Sequence, residues 1–94
     1  GGEEFIIILP ETKKSVVLKL AIQICEDVKN LMIPHKISPV DKVVTISAGC
    51  ATMLTSKDVN PELLVKKADE ALYTAKKTGR NRAVHHDQIH RVNT

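Results

Sequence analysis

The sequence predicts a small α+β domain in which helices pack on one face of a β-sheet. Three observations support this class: an unbroken apolar run near the start, a segment of alternating side chains in the middle, and two helical stripes of aliphatic residues. The predicted order is strand, helix, strand, helix, strand, with one core helix after each of the first two strands. The 94 residues are enough for one small domain.

The first predicted strand is the apolar run at residues 5–9, which Pro10 ends. A run without polar alternation is typical of a strand covered on both faces, so we expect a central strand. Thr12 is the predicted N-cap of the helix that follows. The predicted buried side chains of this helix recur at steps of three and four residues and are Val17, Leu18, Ala21, Ile22, Ile24, Cys25, Val28 and Leu31.

The middle of the chain contains a loop, a strand and a helix start. Residues 32–42 carry two prolines and no helical period, so we expect a loop there. Residues 43–53 alternate with a period of two, which predicts a strand, with Gly49 at a bulge or a close backbone approach. Asn60, Pro61 and Glu62 predict a helix start, with a cap, a proline at the first helical position and an acid in the first turn.

The second helix has predicted buried residues at Leu64, Val65, Ala68, Ala71, Leu72 and Ala75. Lys76 and Lys77 lie in its last turn, and Gly79 is the predicted C-terminal cap. Residues 80–86 are predicted to form a short strand. We therefore assign residues 1–86 to one domain and residues 87–94 to a polar, non-helical tail.

Composition and charge exclude several classes of protein. Fourteen Lys and Arg against eleven Asp and Glu give a net charge of +3, which suits either an anionic ligand or a solvated face. With Phe5 and Tyr73 as the only aromatic residues, the stacking platforms of single-strand binders are missing, and we expect no nucleic-acid partner. No apolar run approaches the ~20 residues of a membrane span. Cys25 and Cys50 form no zinc or disulfide pattern, which favours a reducing, cytoplasmic location.

Gly1 and Gly2 precede two carboxylates, Glu3 and Glu4, directly before the first strand. Two glycines supply the positive φ angles of a tight hairpin turn, so the partner strand is expected before residue 1 and the chain is expected to be a fragment. Adjacent carboxylates are held together at low cost when a hard divalent cation neutralises them. An exposed acidic turn is the alternative, and the residues alone leave both open.

Several other polar residues have simpler explanations. Lys76 and Arg80 are cations near a helix end, where they can complement the helix dipole or bind an anion. His86 and His90 have the i, i+4 spacing of a metal pair, but no acid completes a set, so no ligand role is expected. Cys50 is interpreted as a small core hydrophobe. Tyr73 is expected to pack, with its hydroxyl at the edge.

Three blocks of the sequence match one family in order and spacing. Residues 1–5 read GGEEF, residues 44–49 read VTISAG, and residues 68–76 read ADEALYTAK, followed by GRN at residues 79–81. The chain therefore resembles the C-terminal half of the GGDEF domain, the catalytic domain of diguanylate cyclases, which join two GTP molecules into cyclic di-GMP. The resemblance covers residues 1 to about 84 and implies part of a palm-like, ferredoxin-related antiparallel sheet with helices packed on it, as in nucleotidyl cyclases.

The resemblance also implies roles for the residues of the signature. Gly1 and Gly2 would leave room for the base and ribose of GTP. Glu3 would be a metal ligand and the general base for the ribose 3′-hydroxyl, and Glu4 would support the metal site. The implied metal is Mg²⁺, with Mn²⁺ as an alternative.

Lys76 and Arg80, expected one helical turn apart, would hold the terminal phosphates. Because each GTP is both nucleophile and electrophile, the implied active form is a two-fold dimer. An upstream sensory or membrane-anchoring domain is compatible with the family.

The chain lacks several functional residues of the complete family pattern. The family's metal-binding Asp, its guanine-binding Asn and Asp, and its inhibitory RxxD site all precede the signature. No arginine occurs between Gly1 and Gly79, so the secondary product-binding arginine of some members has no counterpart. The chain by itself is therefore expected to be inactive. The alternative function is a degenerate GGDEF module that binds GTP or cyclic di-GMP, or dimerises; the intact GGEEF favours the enzyme.

Overall fold

The structure is a computed structural model that describes residues 4–9, 12–34, 43–53 and 60–92, with side chains to residue 89. Its elements in chain order are β1 (Glu4–Ile8), α1 (Lys14–Asn30), β2 (Ser47–Ala51), α2 (Pro61–Lys77), β3 (Ala83–His85) and α3 (His86–Val92). The predicted hairpin tip at Gly1 and Gly2 and most of the predicted loop at residues 32–42 lie outside these residues.

The three described strands form one sheet in the order β1, β2, β3, and both pairs are parallel. Glu4 pairs with Ser47 at one end of the sheet, and Cys50 pairs with His85 towards the other. The predicted antiparallel sheet is therefore wrong. The physical reason lies in the connections, because α1 and α2 each carry the chain back along the sheet before the next strand begins.

The helices lie on opposite faces of the sheet, so the prediction of helices on one face is also wrong. Ala48 and Cys50 of β2 pack with α1, whereas Ala51 packs with Leu64 and Ala68 of α2. Successive side chains of a strand point to opposite faces, so one strand can serve both helices. All five residues of β2 are consequently buried.

Strand β1 lies at an edge of the three described strands, and the partner strand that the sequence predicts before residue 1 lies outside the described residues. Its two faces are nevertheless both covered. Phe5 and Ile7 pack against the core on the α1 side, and Ile6 and Ile8 pack against the core on the α2 side. The apolar run therefore predicted the two-sided packing correctly.

Helix α1 begins one residue later than the predicted cap implied. Lys13, rather than Thr12, occupies the N-cap position. The buried residues of the helix are Val17, Ala21 and Cys25, spaced by four. Ile22 and Leu31 were predicted to be buried but are 42% and 66% exposed, so the described residues cover only part of the predicted stripe.

Helix α2 begins as predicted. The Asn60 side-chain oxygen accepts hydrogen bonds from the backbone N–H groups of Glu62 and Leu63, at 3.0 and 3.3 Å, and Pro61 is the first helical residue. Four of the predicted buried residues are buried, namely Leu64, Ala68, Ala71 and Ala75. Val65 was also predicted to be buried but is 42% exposed.

Gly49 explains why α2 can lie so close to the sheet. A Cβ atom at this position would overlap the carbonyl oxygen of Ala68 and the backbone of Leu72. The sequence predicted either a bulge or a close backbone approach at Gly49, and the structure shows the close approach. The alanines of α2 serve the same purpose, because small side chains let the helix backbone approach the strand.

The C-terminal cap of α2 is also confirmed. Gly79 has a φ of 136°, and the N–H of Arg80 donates to the carbonyl oxygen of Ala75 at 2.9 Å. This bond spans the last turn as in a Schellman cap. The chain then enters β3, which is shorter than the predicted strand at residues 80–86.

The segment after β3 is a helix where the sequence predicted a non-helical tail. Side chains bind the backbone at its start: the N–H of His85 donates to Oε1 of Gln88 at 2.8 Å, and the N–H of Asp87 donates to Nδ1 of His85 at 3.1 Å. These bonds satisfy backbone groups that the first helical turn leaves unpaired. Polar composition alone did not reveal them.

Candidate functional site

The start of β1 and the last turn of α2 meet at one end of the sheet. Nζ of Lys76 lies 2.6 Å from Oε2 of Glu4, and the side chains of Lys76 and Glu4 are 34% and 24% exposed. The helix cap at Gly79 fixes where α2 ends, and the pairing of Glu4 with Ser47 fixes where β1 begins. Two of the predicted site residues are therefore brought into direct contact.

The site favours a charged carboxylate. The hydrogen bond from Lys76 lowers the pKa of Glu4 below its ordinary value, against an opposing effect of partial burial. The positive charges of Lys76 and Arg80 lower this pKa further. Glu4 is therefore ionised at neutral pH, which is the state that a metal ligand requires.

Arg80 belongs to the same site but does not lie on α2. The helix ends at Lys77, and Arg80 has a φ of 62° in the turn that follows. The prediction that Lys76 and Arg80 lie one helical turn apart is therefore wrong. Arg80 is exposed, and its carbonyl oxygen accepts a hydrogen bond from Nε of Arg82 at 3.0 Å. Its guanidinium is available to a ligand from solvent.

The described residues supply part of the predicted metal site. Carboxylate oxygens are the ligands that Mg²⁺ prefers, and Glu4 provides them. Within the described residues, no group of three or more His, Cys, Asp or Glu side chains is placed to hold a metal ion. Gly1, Gly2 and Glu3 lie outside the described residues. The donor chemistry of Glu4 thus fits a hard cation, but Glu4 is not a complete site.

His86 connects α3 to α2. Its side chain is nearly buried, and Nε2 lies 2.9 Å from Oε2 of Glu70. Local spacing did not reveal this acid partner, because Glu70 precedes His86 by 16 positions. The contact has the form of a structural tether between two helices. The side chain of His90 lies outside the described residues.

His85, which belongs to no motif of the sequence, is 1% exposed. Its Nδ1 accepts a hydrogen bond from the N–H of Asp87 at 3.1 Å, and its Nε2 lies 2.9 Å from the hydroxyl oxygen of Thr52. Because Nδ1 is an acceptor, the proton belongs on Nε2, which donates to Thr52. Burial lowers the pKa of His85, so the ring is neutral.

Two further predictions concern cysteine and tyrosine. Cys25 and Cys50 are both buried and free, and burial raises the pKa of Cys50 to about 11. The interpretation of Cys50 as a core hydrophobe is confirmed. Tyr73 was predicted to pack but is 59% exposed, and Nζ of Lys77 lies 5.2 Å from the centre of its ring.

The fold and the site define a class of protein: a small α+β domain in which a carboxylate and a lysine meet at one end of a parallel sheet, with the charge of an arginine acting on the carboxylate. The particular family follows from its sequence pattern. The family described as "Diguanylate cyclase, GGDEF domain" matches residues 1–82. Because this match covers most of the chain, the chain belongs to the GGDEF family.

Three relatives illustrate the similarity. "Diguanylate cyclase DgcZ" of Escherichia coli K12 is 31% identical over 93 residues, which are 99% of this chain and 30% of the relative. "Probable diguanylate cyclase DgcT" of the same strain is 37% identical, with 95% of this chain and 20% of the relative covered. "Response regulator PleD" of Caulobacter vibrioides NA1000 is 38% identical, with 89% and 18% covered.

The chain therefore spans less than a third of the length of each of these relatives. No solved structure matches the chain at a significant level. None of the helices in the described part of the chain has both the length and the apolar character needed to cross a membrane.

Proposed function

We propose that the whole protein is a diguanylate cyclase that condenses two GTP molecules into cyclic di-GMP and releases pyrophosphate. Family membership and the names of the relatives support this activity. The observation that carries the proposal is the contact between Glu4 of the GGEEF signature and Lys76 of α2, with Arg80 within electrostatic range. This chain contributes the signature and the phosphate-facing cations, within a domain that ends near residue 86.

The signature residues bind the reacting end of GTP in this proposal. Gly1 and Gly2 give the base and ribose room against bare backbone. Glu3 binds the metal and accepts the proton of the ribose 3′-hydroxyl, and Glu4 is a second metal ligand. A general base of this kind contributes roughly 10²–10⁴-fold to a rate.

Lys76 and Arg80 bind the terminal phosphates. Arg80 offers a planar fork of donors that matches phosphate oxygens, and Lys76 offers a compact point charge. Lys76 contacts Glu4, and the positive charge of Arg80 acts on the same carboxylate. The site thus combines a carboxylate for a metal with cations for an anion, as binding of a metal–triphosphate requires.

Glu3 and Glu4 would hold Mg²⁺, or Mn²⁺ as the alternative, through carboxylate oxygens. When bound, such an ion supplies positive charge that stabilises the phosphate oxygens during transfer. The protein's own part is to keep Glu4 ionised and the phosphates oriented, which Lys76 and Arg80 do through their charges.

The bond changes require two GTP molecules. The 3′-oxygen of one GTP attacks the α-phosphorus of the other, the bond to the β-phosphate breaks, and pyrophosphate leaves. A second transfer in the opposite direction closes the ring. Because each nucleotide plays both parts, we propose that two copies of the domain face each other as a homodimer. Because the substrate is GTP, we propose that the domain lies in the cytoplasm.

The test is a turnover assay on a protein that carries the complete domain. Incubation with GTP and Mg²⁺ should yield cyclic di-GMP by chromatography, and Glu3→Gln should reduce turnover by at least about 100-fold. Nucleotide affinity is measured in parallel. A folded protein that binds GTP or cyclic di-GMP without turnover would establish the alternative, a degenerate binding and dimerisation module.

A further inference from the structure

The contact between Glu4 and Lys76 brings the two residues into one site, but it differs from the contacts that the proposed function gives them once GTP and its metal are bound. In the structure the ammonium group of Lys76 lies 2.6 Å from Oε2 of Glu4. In the proposed mechanism, Glu4 binds a divalent cation and Lys76 binds phosphate. The two arrangements are distinct states of the same pair.

Charge repulsion separates the two states. A magnesium ion lies about 2.0–2.1 Å from a coordinating oxygen. A divalent ion on Glu4 and the ammonium of Lys76 in its present position would therefore lie within about 5 Å of each other. Like charges at that distance repel unless anions lie between them. Metal binding at Glu4 therefore requires that Lys76 moves or gains another anionic partner.

We propose that Lys76 pairs with Glu4 before substrate binds and transfers to the phosphates when GTP arrives with its metal. This inference rests on the proposed function, because it takes Glu4 as a metal ligand. Before GTP arrives, Lys76 competes with free metal for Glu4. The metal and the nucleotide consequently bind better together than the metal binds alone.

The pair is suited to such an exchange. The side chains of Lys76 and Glu4 are 34% and 24% exposed, and ion pairs that water reaches are weak enough to break easily. Lys76 has a flexible four-carbon stem, so its ammonium can move without a shift of α2. A triphosphate offers several negative charges in place of one carboxylate.

The neighbouring Lys77 provides a matched control. It lies on the same helical turn and carries the same charge, but its Nζ lies over the ring of Tyr73, at 5.2 Å. Replacing Lys77 therefore removes one positive charge from the helix end without removing the partner of Glu4. Any effect specific to Lys76 can be separated from a general change in charge.

The experiment measures the affinity of the complete domain for Mn²⁺ alone, by electron paramagnetic resonance of the free ion without nucleotide. Lys76→Met should bind Mn²⁺ roughly two- to fivefold more tightly than the unmodified protein. Lys76→Arg, which keeps the charge, should restore the weaker binding, and Lys77→Met should leave it nearly unchanged. Unchanged or weaker binding by Lys76→Met would overturn the inference.

Glu4→Gln distinguishes this failure from a failure of the proposed function. If Glu4→Gln weakens Mn²⁺ binding but Lys76→Met does not strengthen it, Glu4 is a ligand and only the competition is wrong. If Glu4→Gln leaves Mn²⁺ binding unchanged, Glu4 is not a metal ligand, and the proposed function loses that assignment as well. A purely structural role for Lys76 would not raise metal affinity in any variant.

Discussion

The two ends of the sheet use polar side chains in opposite ways. Where the strands begin, Glu4 and Lys76 form a charged pair that water reaches. Where the strands end, His85 and Thr52 form a neutral hydrogen bond, and His85 is 1% exposed. Solvent access accounts for the difference, because a buried charge is costly and a buried neutral group needs only its hydrogen bonds.

This difference indicates that the end with the ion pair is suited to binding a ligand, whereas the end with His85 stabilises the fold. A partly exposed ion pair can exchange one partner for a ligand at little cost. A buried histidine with both ring nitrogens bonded, as His85 has, fixes the junction of β3 and α3 and has no spare group for chemistry. The two ends should therefore respond differently to substitution, one in activity and the other in stability.

The largest expected effect is the loss of activity in Glu4→Gln. In the complete domain this change should lower cyclic di-GMP synthesis by roughly 100-fold, because the amide carries no charge for a metal. The melting temperature should hardly change, since Glu4 is a partly exposed residue at the sheet edge. Unchanged turnover would remove Glu4 from the mechanism and erase the functional distinction between the two ends.

His85→Phe should show the reverse pattern. The ring is similar in size, but it leaves the N–H of Asp87 and the hydroxyl of Thr52 without their partner. Stability measured by urea unfolding should fall by about 1–3 kcal/mol. Turnover per folded molecule should stay the same. A large loss of turnover at unchanged stability would show that this end also takes part in the chemistry.

The same residue predicts a pH dependence. Burial lowers the pKa of His85 below its ordinary value of 6.5, the charges of Lys14 and His86 lower it further, and Asp87 opposes the shift. The unfolded chain therefore binds a proton more readily than the folded one. Stability from the neutral ring is present above about pH 6.5 and is lost as pH falls through the lower folded pKa.

Unfolding measured between pH 7.5 and 5 tests this sign. The free energy of unfolding should fall less steeply with falling pH in His85→Phe than in the unmodified domain, because phenylalanine does not titrate. Asn60→Ser is the control, since it lies at the start of α2 and leaves in place both His85 and the groups that act on its pKa. Equal slopes in the unmodified domain and in His85→Phe would contradict the neutral, buried state of His85.

A smaller effect is expected for Arg80→Gly. Loss of the guanidinium should lower kcat/KM for GTP by roughly tenfold, as removal of a charge-assisted contact does. Glycine suits the backbone here, because Arg80 has a φ of 62°, so folding should not suffer. Asn81 has a φ of 47°, and Asn81→Gly is the matched control. If both variants had the kcat/KM of the unmodified domain, Arg80 would not bind substrate, and its charge would instead complement the end of α2.

The sequence predicted the parts of the fold that local chemistry determines. The start of α2 at Asn60, its cap at Gly79 and the close approach at Gly49 each depend on a few adjacent residues or on a missing side chain. The strand directions and the face that each helix covers depend on contacts between distant segments. Periodicity indicates which side of a helix or strand is apolar, but it does not indicate which other element that side packs against. Both predictions therefore failed.

The candidate site shows the same limit. The GGEEF, ADEALYTAK and GRN blocks identified the residues, and the structure brings Glu4 and Lys76 together. The family pattern assigned Lys76 to phosphate and gave no sign that it pairs with Glu4. His85 was missed because its partner Thr52 lies 33 positions away, and neither residue belongs to a pattern of local spacing.

The smallest expected effect is at Asn60, which lies at the opposite end of α2 from Lys76. Asn60→Ala removes the hydrogen bonds to the N–H groups of Glu62 and Leu63 and should cost about 1 kcal/mol in urea unfolding. Asn60→Ser should keep most of the stability, because serine caps a helix about as well. Both variants should retain full turnover and unmodified Mn²⁺ affinity, since the change frays the first turn and leaves the last turn in place. If Asn60→Ala alters turnover or metal binding at temperatures where it is fully folded, α2 transmits the change along its length, and the two ends of the sheet are coupled rather than independent.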